Sequence, residues 1–328
     1  MPGQAAGVDL GGTKVQGVIA DKAGNPLASA VASTPSDGGP ASVVEQVAAV
    51  VRAAAANAGI GVEDLDGVGV GSAGTVRPDA GVVSWAGNLS GFDRPVPLAG
   101  QLARALGIAP TMVRLDNDVN AATLAEYRTG AGRGLDSLLA VFAGTGVGGA
   151  VVVEGRLHRG ARGAAGELGH AVVVMDGEPC PCGRRGCAEA YVGRTPMERA
   201  VRAAVEAGRP TELPAIQRRL GRARLTTDVL AEGLAVADAL AAELVELAAR
   251  ALGAAIGSAC NLLDVRGVLL GGGLTDGLGD PFVRRVEREI RPRLLADDPP
   301  VEVRGTALGD MAGAIGASLL LQERASPS

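Results

Sequence analysis

Apolar positions along the chain change period repeatedly, and the changes mark the elements. Residues 6–10 and 14–20 read as two strands that run into and out of Gly11-Gly12-Thr13. A third strand is expected at 27–34, and a helix at 41–58 with Val43, Val47, Val50 and Val51 on one face, ended by Gly59. Residues 68–70 form a short buried strand, followed by a loop through Trp85 and Asn88. A helix at 98–106 and a strand at 112–115 precede Asp116-Asn117-Asp118, which opens a helix at 121–128. Residues 138–142, Gly144-Thr145-Gly146 and 147–153 repeat the opening pattern about 130 residues on. Thr195-Pro196-Met197-Glu198 reads as a capping box with proline at the first helical position. Beyond it the spacing predicts a helix over 235–263, with Leu240, Leu244, Leu247 and Ala251 in register. A strand at 268–270, a charged amphipathic helix at 281–295 and an apolar helix at 312–321 complete the chain.

The densest chemistry lies in the middle. Cys180, Cys182 and Cys187 sit on a tight glycine-containing loop, with His170 ten residues before it. Three sulfurs and an imidazole suit zinc, and a closed four-ligand site is structural rather than catalytic. Arg184 and Arg185 would favour the thiolate form. Ordinary buried cysteines are the alternative, but free cysteines rarely cluster so tightly. Glu167 and Glu189 are interleaved with the ligands, so a metal would fix two carboxylates able to hold vicinal hydroxyls.

Glycines in the turns at Gly11-Gly12-Thr13-Lys14 and Gly144-Thr145-Gly146 let backbone N–H groups approach an anion, and each threonine adds a hydroxyl. Plain hairpins are the alternative reading. Asp9 is placed to hold Mg²⁺ through water rather than to touch phosphate. The Walker spacing is absent. Gly271-Gly272-Gly273 after a strand would let a flat adenine or ribose lie on the backbone, or would simply turn tightly. Polar residues at the end of the strand before Asp118 are where α/β sheets place chemistry, though one acid could cap the helix.

Composition narrows the class. A chain of 328 residues, 47% hydrophobic and 20% charged, is a globular protein with room for two cores. With 2% aromatics the core must be Ala, Val and Leu, and 50 glycines imply tight turns and close backbone approaches. A net charge of −5 argues against nucleic acid as partner. No stretch reaches the ~18 apolar residues of a membrane helix. No signal-peptide pattern opens the sequence, and reduced zinc-ligating cysteines fit the cytoplasm, so a cytoplasmic location is expected. Cys260, in an apolar helix, reads as a small core residue.

Glu-x-Gly-His followed by Cys-x-Cys-Gly-x-x-Gly-Cys-x-Glu closely resembles the ROK family of bacterial sugar kinases and sugar-responsive repressors. The resemblance continues at Asp9-Leu10-Gly11-Gly12-Thr13-Lys14, Asn117-Asp118, Gly144 to Gly149 and Gly271-Gly272-Gly273, in the family's order. It implies an α/β, two-domain actin-like (ribonuclease H-like, hexokinase-type) fold with a cleft and a zinc-binding loop. The domains would be 1–116 and 117–310, with the zinc loop at 170–187 and a final helix, about 311–324, packing back on the first domain.

The same resemblance implies a kinase that transfers the γ-phosphate of ATP to the 6-hydroxyl of N-acetylglucosamine or glucose. Asp118 would be the general base and Asp116 a structural acid. Gly74, Asn88, Asn117, Glu167, His170 and Glu189 would join Asp118 around the sugar. Asp9, Gly11, Gly12, Thr13, Lys14, Gly144, Thr145, Gly146, Gly271 and Gly272 would serve the nucleotide, with Mg²⁺ near Asp9 and structural Zn²⁺ on His170, Cys180, Cys182 and Cys187. A homodimer or higher homo-oligomer is expected. The alternatives are a kinase for mannose, fructose or N-acetylmannosamine, a polyphosphate-using kinase, whose relatives lack the zinc loop, or a sugar-responsive regulator. The regulator needs a DNA-binding domain before the sugar domain, and Asp9 leaves no room for one. Asp116-Asn117-Asp118 in place of Glu-Asn-Asp, and small Ser72, Ala73 and Gly74, hint at an acetamido group.

Overall fold

The computed structural model of the protein describes residues 3–296 and 298–323. They divide into two compact units. The first comprises residues up to Gly134, Leu157–Ala165 and the segment from Ala307; the second comprises Leu135–Arg156 and Gly166–Thr306.

The first unit contains β1 (Ala5–Leu10), β2 (Lys14–Ala20), β3 (Pro26–Ser33), α1 (Gly39–Asn57), β4 (Val68–Ser72), the short hairpin β5 (Thr75–Arg77) and β6 (Val82–Ser84), α2 (Leu98–Leu106), β7 (Val113–Asn117) and α3 (Asp118–Arg128). Its main sheet has the order β3-β2-β1-β4-β7. β1 and β2 are antiparallel, whereas β1, β4 and β7 run parallel. The four valines expected on one face of α1 are all buried.

The chain returns to this unit in a last helix, Ala312–Leu319, every residue of which is buried. It lies so close to the sheet that only glycine fits beneath it: a methyl group at Gly69 would sit 1.8 Å from the Ala317 carbonyl oxygen. Gly316 makes the reciprocal approach to α3, where a methyl would sit 1.6 Å from the Ala121 oxygen. The expected final helix is thus shorter than 312–321, closing in a 3₁₀ turn at Leu320–Gln322. Residue 324 lies outside the described residues.

The second unit contains β8 (Leu138–Ala143), β9 (Val147–Val153), β10 (Arg156–His158), α4 (Glu189–Val192), α5 (Arg194–Glu206), α6 (Leu213–Arg219), α7 (Thr227–Ala235), α8 (Ala239–Leu263), β11 (Gly267–Gly271), α9 (Gly273–Leu278), α10 (Asp280–Ile290) and β12 (Glu302–Gly305). The last helix of the chain is therefore α11. The sheet order β10-β9-β8-β11-β12 repeats that of the first unit, third-second-first-fourth-fifth in chain order, and the unit boundary falls within β10. β8 and β9 are antiparallel, and β8, β11 and β12 are parallel. Each sheet is mixed, with its own aliphatic core.

Four expected elements differ in detail. The helix after β7 starts at Asp118, because Asn117 caps it: the Asn117 side chain accepts from the Val119 and Asn120 backbone N–H groups. An amide rather than an acid therefore does the capping. The capping box at Thr195 does not form. α5 begins earlier, at Arg194, and the Glu198 carboxylate is held instead by Arg224 at 2.7 Å and the Leu225 N–H at 2.8 Å. The helix expected at 235–263 is interrupted. Ala237 takes φ +56°, and the Asp238 side chain caps α8 through the Ala241 N–H at 2.8 Å. Leu247 faces outward on α8, 38% exposed, while Leu240, Leu244 and Ala251 are buried. α10 ends at Ile290, because Pro292 lacks the N–H that would continue it, and Leu295 lies outside, 93% exposed.

Candidate active site

In the first unit the chemistry gathers at the C-terminal ends of β1, β4 and β7. Register puts Asp9 beside Gly71 and Gly71 beside Asp116. A methyl group at Gly71 would sit 3.4 Å from the Asp118 Cα, so a glycine on the intervening strand lets the helix start come close. Burial, reinforced by the negative charge of Asp118, pushes the Asp9 carboxyl up to about 6; Lys14 opposes this and Asp310 adds to it. Asp9 and Asp118 therefore act on each other. Asp9 also needs Gly313 of α11, where a methyl would lie 2.8 Å from its carboxyl carbon.

The glycine turn after β1 closes through Gly11 N–H to the Lys14 oxygen at 3.0 Å, and the Thr34 hydroxyl donates to the Gly11 oxygen at 2.7 Å. Thr13 is exposed at its tip. Asn88 packs on Gly12, where a methyl would sit 2.4 Å from the Asn88 Cβ, and Asn117 Nδ2 donates to the Gly74 oxygen at 3.4 Å. Asp9, Gly12, Gly74, Asn88, Asn117 and Asp118 thus belong to one neighbourhood. The Lys14 ammonium points to Asp310 at 3.6 Å. Ser72 is wholly buried, and a methyl at Gly74 would lie 2.7 Å from the Ala86 side chain. At Ser72 and Gly74 small residues serve close packing.

Asp116 is 2% exposed and fully engaged. One carboxylate oxygen accepts from the Asn120 amide at 2.7 Å and the Asn117 N–H at 2.8 Å; the other accepts from Arg159 Nε at 2.7 Å. It is a structural acid.

In the second unit, the donor atoms of His170, Cys180, Cys182 and Cys187 all lie within 4.8 Å of one another. Cys182 Sγ and Cys187 Sγ are 3.8 Å apart, and Cys180 Sγ is 3.8 Å from His170 Nδ1. A tetrahedral centre with ~2.3 Å metal–sulfur bonds has an edge of about 3.8 Å, so the donors fit a thiolate-binding metal. The loop is shaped for this. Gly183, at φ +85°, closes the turn back to the Cys180 oxygen at 3.0 Å, and Cys180 N–H donates to the Arg184 oxygen at 2.8 Å. Burial pushes the Cys180 thiol up to about 12. Burial opposes ionisation of Cys182 as well, but Arg184 and the neighbouring thiols overcome it and bring Cys182 down to about 6. Arg185 instead donates to the Asp176 carbonyl at 3.4 Å.

The interleaved acids differ. Glu189 reaches the second glycine turn: Oε2 accepts from the Val147 N–H at 2.9 Å, and Oε1 is 3.8 Å from Cys180 Sγ. A methyl at Gly146 would collide with that carboxylate at 2.5 Å. Glu167 is more open, its side chain 64% exposed and 4.0 Å from His170 Nε2. Thr145 is exposed at the turn.

Beside that turn is a cavity of about 260 Å³. Gly144, Thr145, Gly273, Thr226 and Thr227 give it a polar rim, while Met197, Leu225, Leu230 and Leu274 line it with apolar surface. Gly272, at φ +83°, packs on Ala143 and delivers the chain to the cavity; Gly271 is buried within β11. Sequence reading missed Arg194, Met197, Leu225, Thr226 and Thr227. Their spacing carries no motif, and they meet only because α4, α5 and α7 converge.

The sequence model of the ROK family matches residues 5–324. A glucokinase of Streptomyces coelicolor is 31% identical over 98% of this chain and 98% of its own length. The crystal structure of a ROK hexokinase from Thermus thermophilus, 32% identical, covers 97% of both chains with a TM-score of 0.81. That of a ROK family glucokinase from Streptomyces griseus in complex with glucose and AMPPNP, 30% identical, covers 96% of this chain and 98% of that one with a TM-score of 0.77. Matched almost from end to end by the family and by these relatives, the chain belongs to the ROK family.

Proposed function

We propose that the protein is an ATP-dependent hexose kinase of actin-like fold that transfers the γ-phosphate of ATP to the 6-hydroxyl of glucose or N-acetylglucosamine. The observation that carries the reading is the acid pair Asp9 and Asp118, brought together beside a glycine-threonine turn by the ends of β1 and β7. Asp118 accepts the proton of the attacking hydroxyl. Phosphoryl transfer is mostly positioning and charge stabilisation, so no covalent intermediate is needed. Asp9 would hold Mg²⁺, which when bound would supply charge neutralisation for the phosphates. Asn88, Asn117, Glu167, His170 and Glu189 bind sugar hydroxyls. The glycine-threonine turns and Gly272 serve the nucleotide. His170, Cys180, Cys182 and Cys187 would hold zinc, which would stiffen the loop that carries Glu189.

The relatives named as glucokinases, one of them in complex with glucose and AMPPNP, support ATP as donor and put glucose first among the sugars. Mannose, fructose and N-acetylmannosamine stay as alternatives, and assembly as a homo-oligomer is part of the same proposal. A coupled assay with ATP, Mg²⁺ and each of these hexoses tests it. The expected result is ATP-dependent turnover, highest with glucose or N-acetylglucosamine. No turnover with any hexose, alongside tight sugar binding, would favour a sugar-responsive regulator instead.

A further inference from the structure

Arg194 is the first residue of α5, and its backbone N–H donates to the Gly144 and Thr145 oxygens, both at 3.2 Å. The start of α5 is thereby tethered to the second glycine turn, and Arg194 lines the adjoining cavity. Nε is buried and has no hydrogen-bond partner among the described residues. A buried cationic donor left without an acceptor is costly, and such groups normally find one. Glu198, whose carboxylate feels the Arg194 charge, accepts its hydrogen bonds from Arg224 and the Leu225 N–H. Val192, Met197, Leu225, Leu230 and Leu274 offer no side-chain acceptor. The Thr226 and Thr227 hydroxyls on the rim are turned to Asp228 and the Gly273 oxygen, which leaves a ligand in the cavity as the acceptor still open to it.

The size of the cavity says which part of the ligand. About 260 Å³ falls short of the ~300–1,000 Å³ that encloses a drug-sized molecule, so it takes a base and ribose but not a triphosphate. Gly144, Thr145 and Arg194 line the cavity together, so a phosphate joined to that ribose and directed at the glycine turn would meet Arg194. We infer that Arg194 is a nucleotide-binding residue whose Nε–H binds the α-phosphate of an adenine nucleotide seated in this cavity. This rests on the kinase reading.

The test is calorimetric binding of ATP, ADP, AMP and adenosine to the wild type, Arg194→Gln and Arg194→Lys. Arg202→Gln, on an exposed position of the same helix, is the control. Loss of a charge-assisted hydrogen bond should weaken ATP, ADP and AMP by about 10- to 100-fold in Arg194→Gln. Arg194→Lys keeps the charge without the planar fork and should lose less. Adenosine should bind all variants alike. Glucose binding, followed by the fluorescence of the single tryptophan Trp85, and thermal unfolding should not change. Wild-type affinity of Arg194→Gln for AMP, or an equal loss for adenosine, overturns the inference while leaving the kinase reading intact. A wild type that binds no adenine nucleotide overturns both.

Discussion

Arg159 Nε donates to Asp116 Oδ2 at 2.7 Å, in an ion pair whose side chains are 19% and 3% exposed. The other Asp116 oxygen holds Asn120 and the Asn117 N–H, and Asn117 in turn caps α3. The backbone from which Asp118 projects is thus fixed by a chain of bonds that begins on a segment 43 residues away in sequence.

Removing the cation from that pair should therefore cost both stability and turnover. Arg159→Met leaves a buried carboxylate unpaired, a loss of about 3–5 kcal/mol. Asp116→Asn combined with Arg159→Met keeps an acceptor for Asn120 without the stranded charge, and should recover part of it. Denaturant midpoints of the two variants check the order. A double variant less stable than the single one would contradict the account.

Asp9 should make the protein less stable as its carboxyl is forced to ionise. Its folded value, about 6, lies above the ordinary 3.8, so the folded state binds the proton more tightly than the unfolded state. The penalty is absent below pH 4, grows between pH 4 and 6, and is complete above that, at most about 3 kcal/mol. Asp9→Asn should then raise stability near pH 7.5 and have little effect at pH 4, while abolishing turnover. Urea midpoints at the two pH values, measured without Mg²⁺, decide it; an Asp9→Asn protein destabilised at pH 7.5 refutes the burial argument.

The cysteine loop should depend on metal. One zinc per chain is expected by elemental analysis. Chelation, or Cys182→Ser, should unfold the segment from His170 to Cys187 and abolish sugar binding, because Glu189 and His170 lose their anchor. Nucleotide binding should weaken less than sugar binding, since α4 gives the cavity only Val192 and the rest comes from α5, α7, α9 and the β8–β9 turn, although Glu189 also holds the Val147 N–H of that turn. Normal sugar phosphorylation by a metal-free protein would contradict the role given to the loop.

Much of the molecule was legible locally. Alternating and helical periods located the long strands and helices but not the short β5, β6, β10, β12 and α9, and the ROK motifs picked out residues that the fold brings to the ends of β1, β7, β8 and β11. Illegible features share one cause: their partners are distant. Glu126 carries no motif, yet it is wholly buried and receives the N–H groups of Ala307, Leu308 and Ala131. Glu198 completed a plausible capping box, but Arg224, folded back from beyond α6, takes its carboxylate. The break at Ala237 carries neither glycine nor proline. It is held by Asp238, which also accepts from the Thr211 hydroxyl at 2.9 Å and the Glu212 N–H at 2.6 Å.

The central claim is transfer of the γ-phosphate to a sugar 6-hydroxyl with Asp118 as base. Phosphorus NMR of the product formed from glucose, ATP and Mg²⁺, run in parallel on the wild type and Asp118→Asn, tests it directly. The wild type should yield hexose 6-phosphate. Asp118→Asn should keep sugar affinity by Trp85 fluorescence and lose turnover by roughly 10²–10⁴-fold. A sugar 1-phosphate, or a folded Asp118→Asn protein with near-normal turnover, would contradict it.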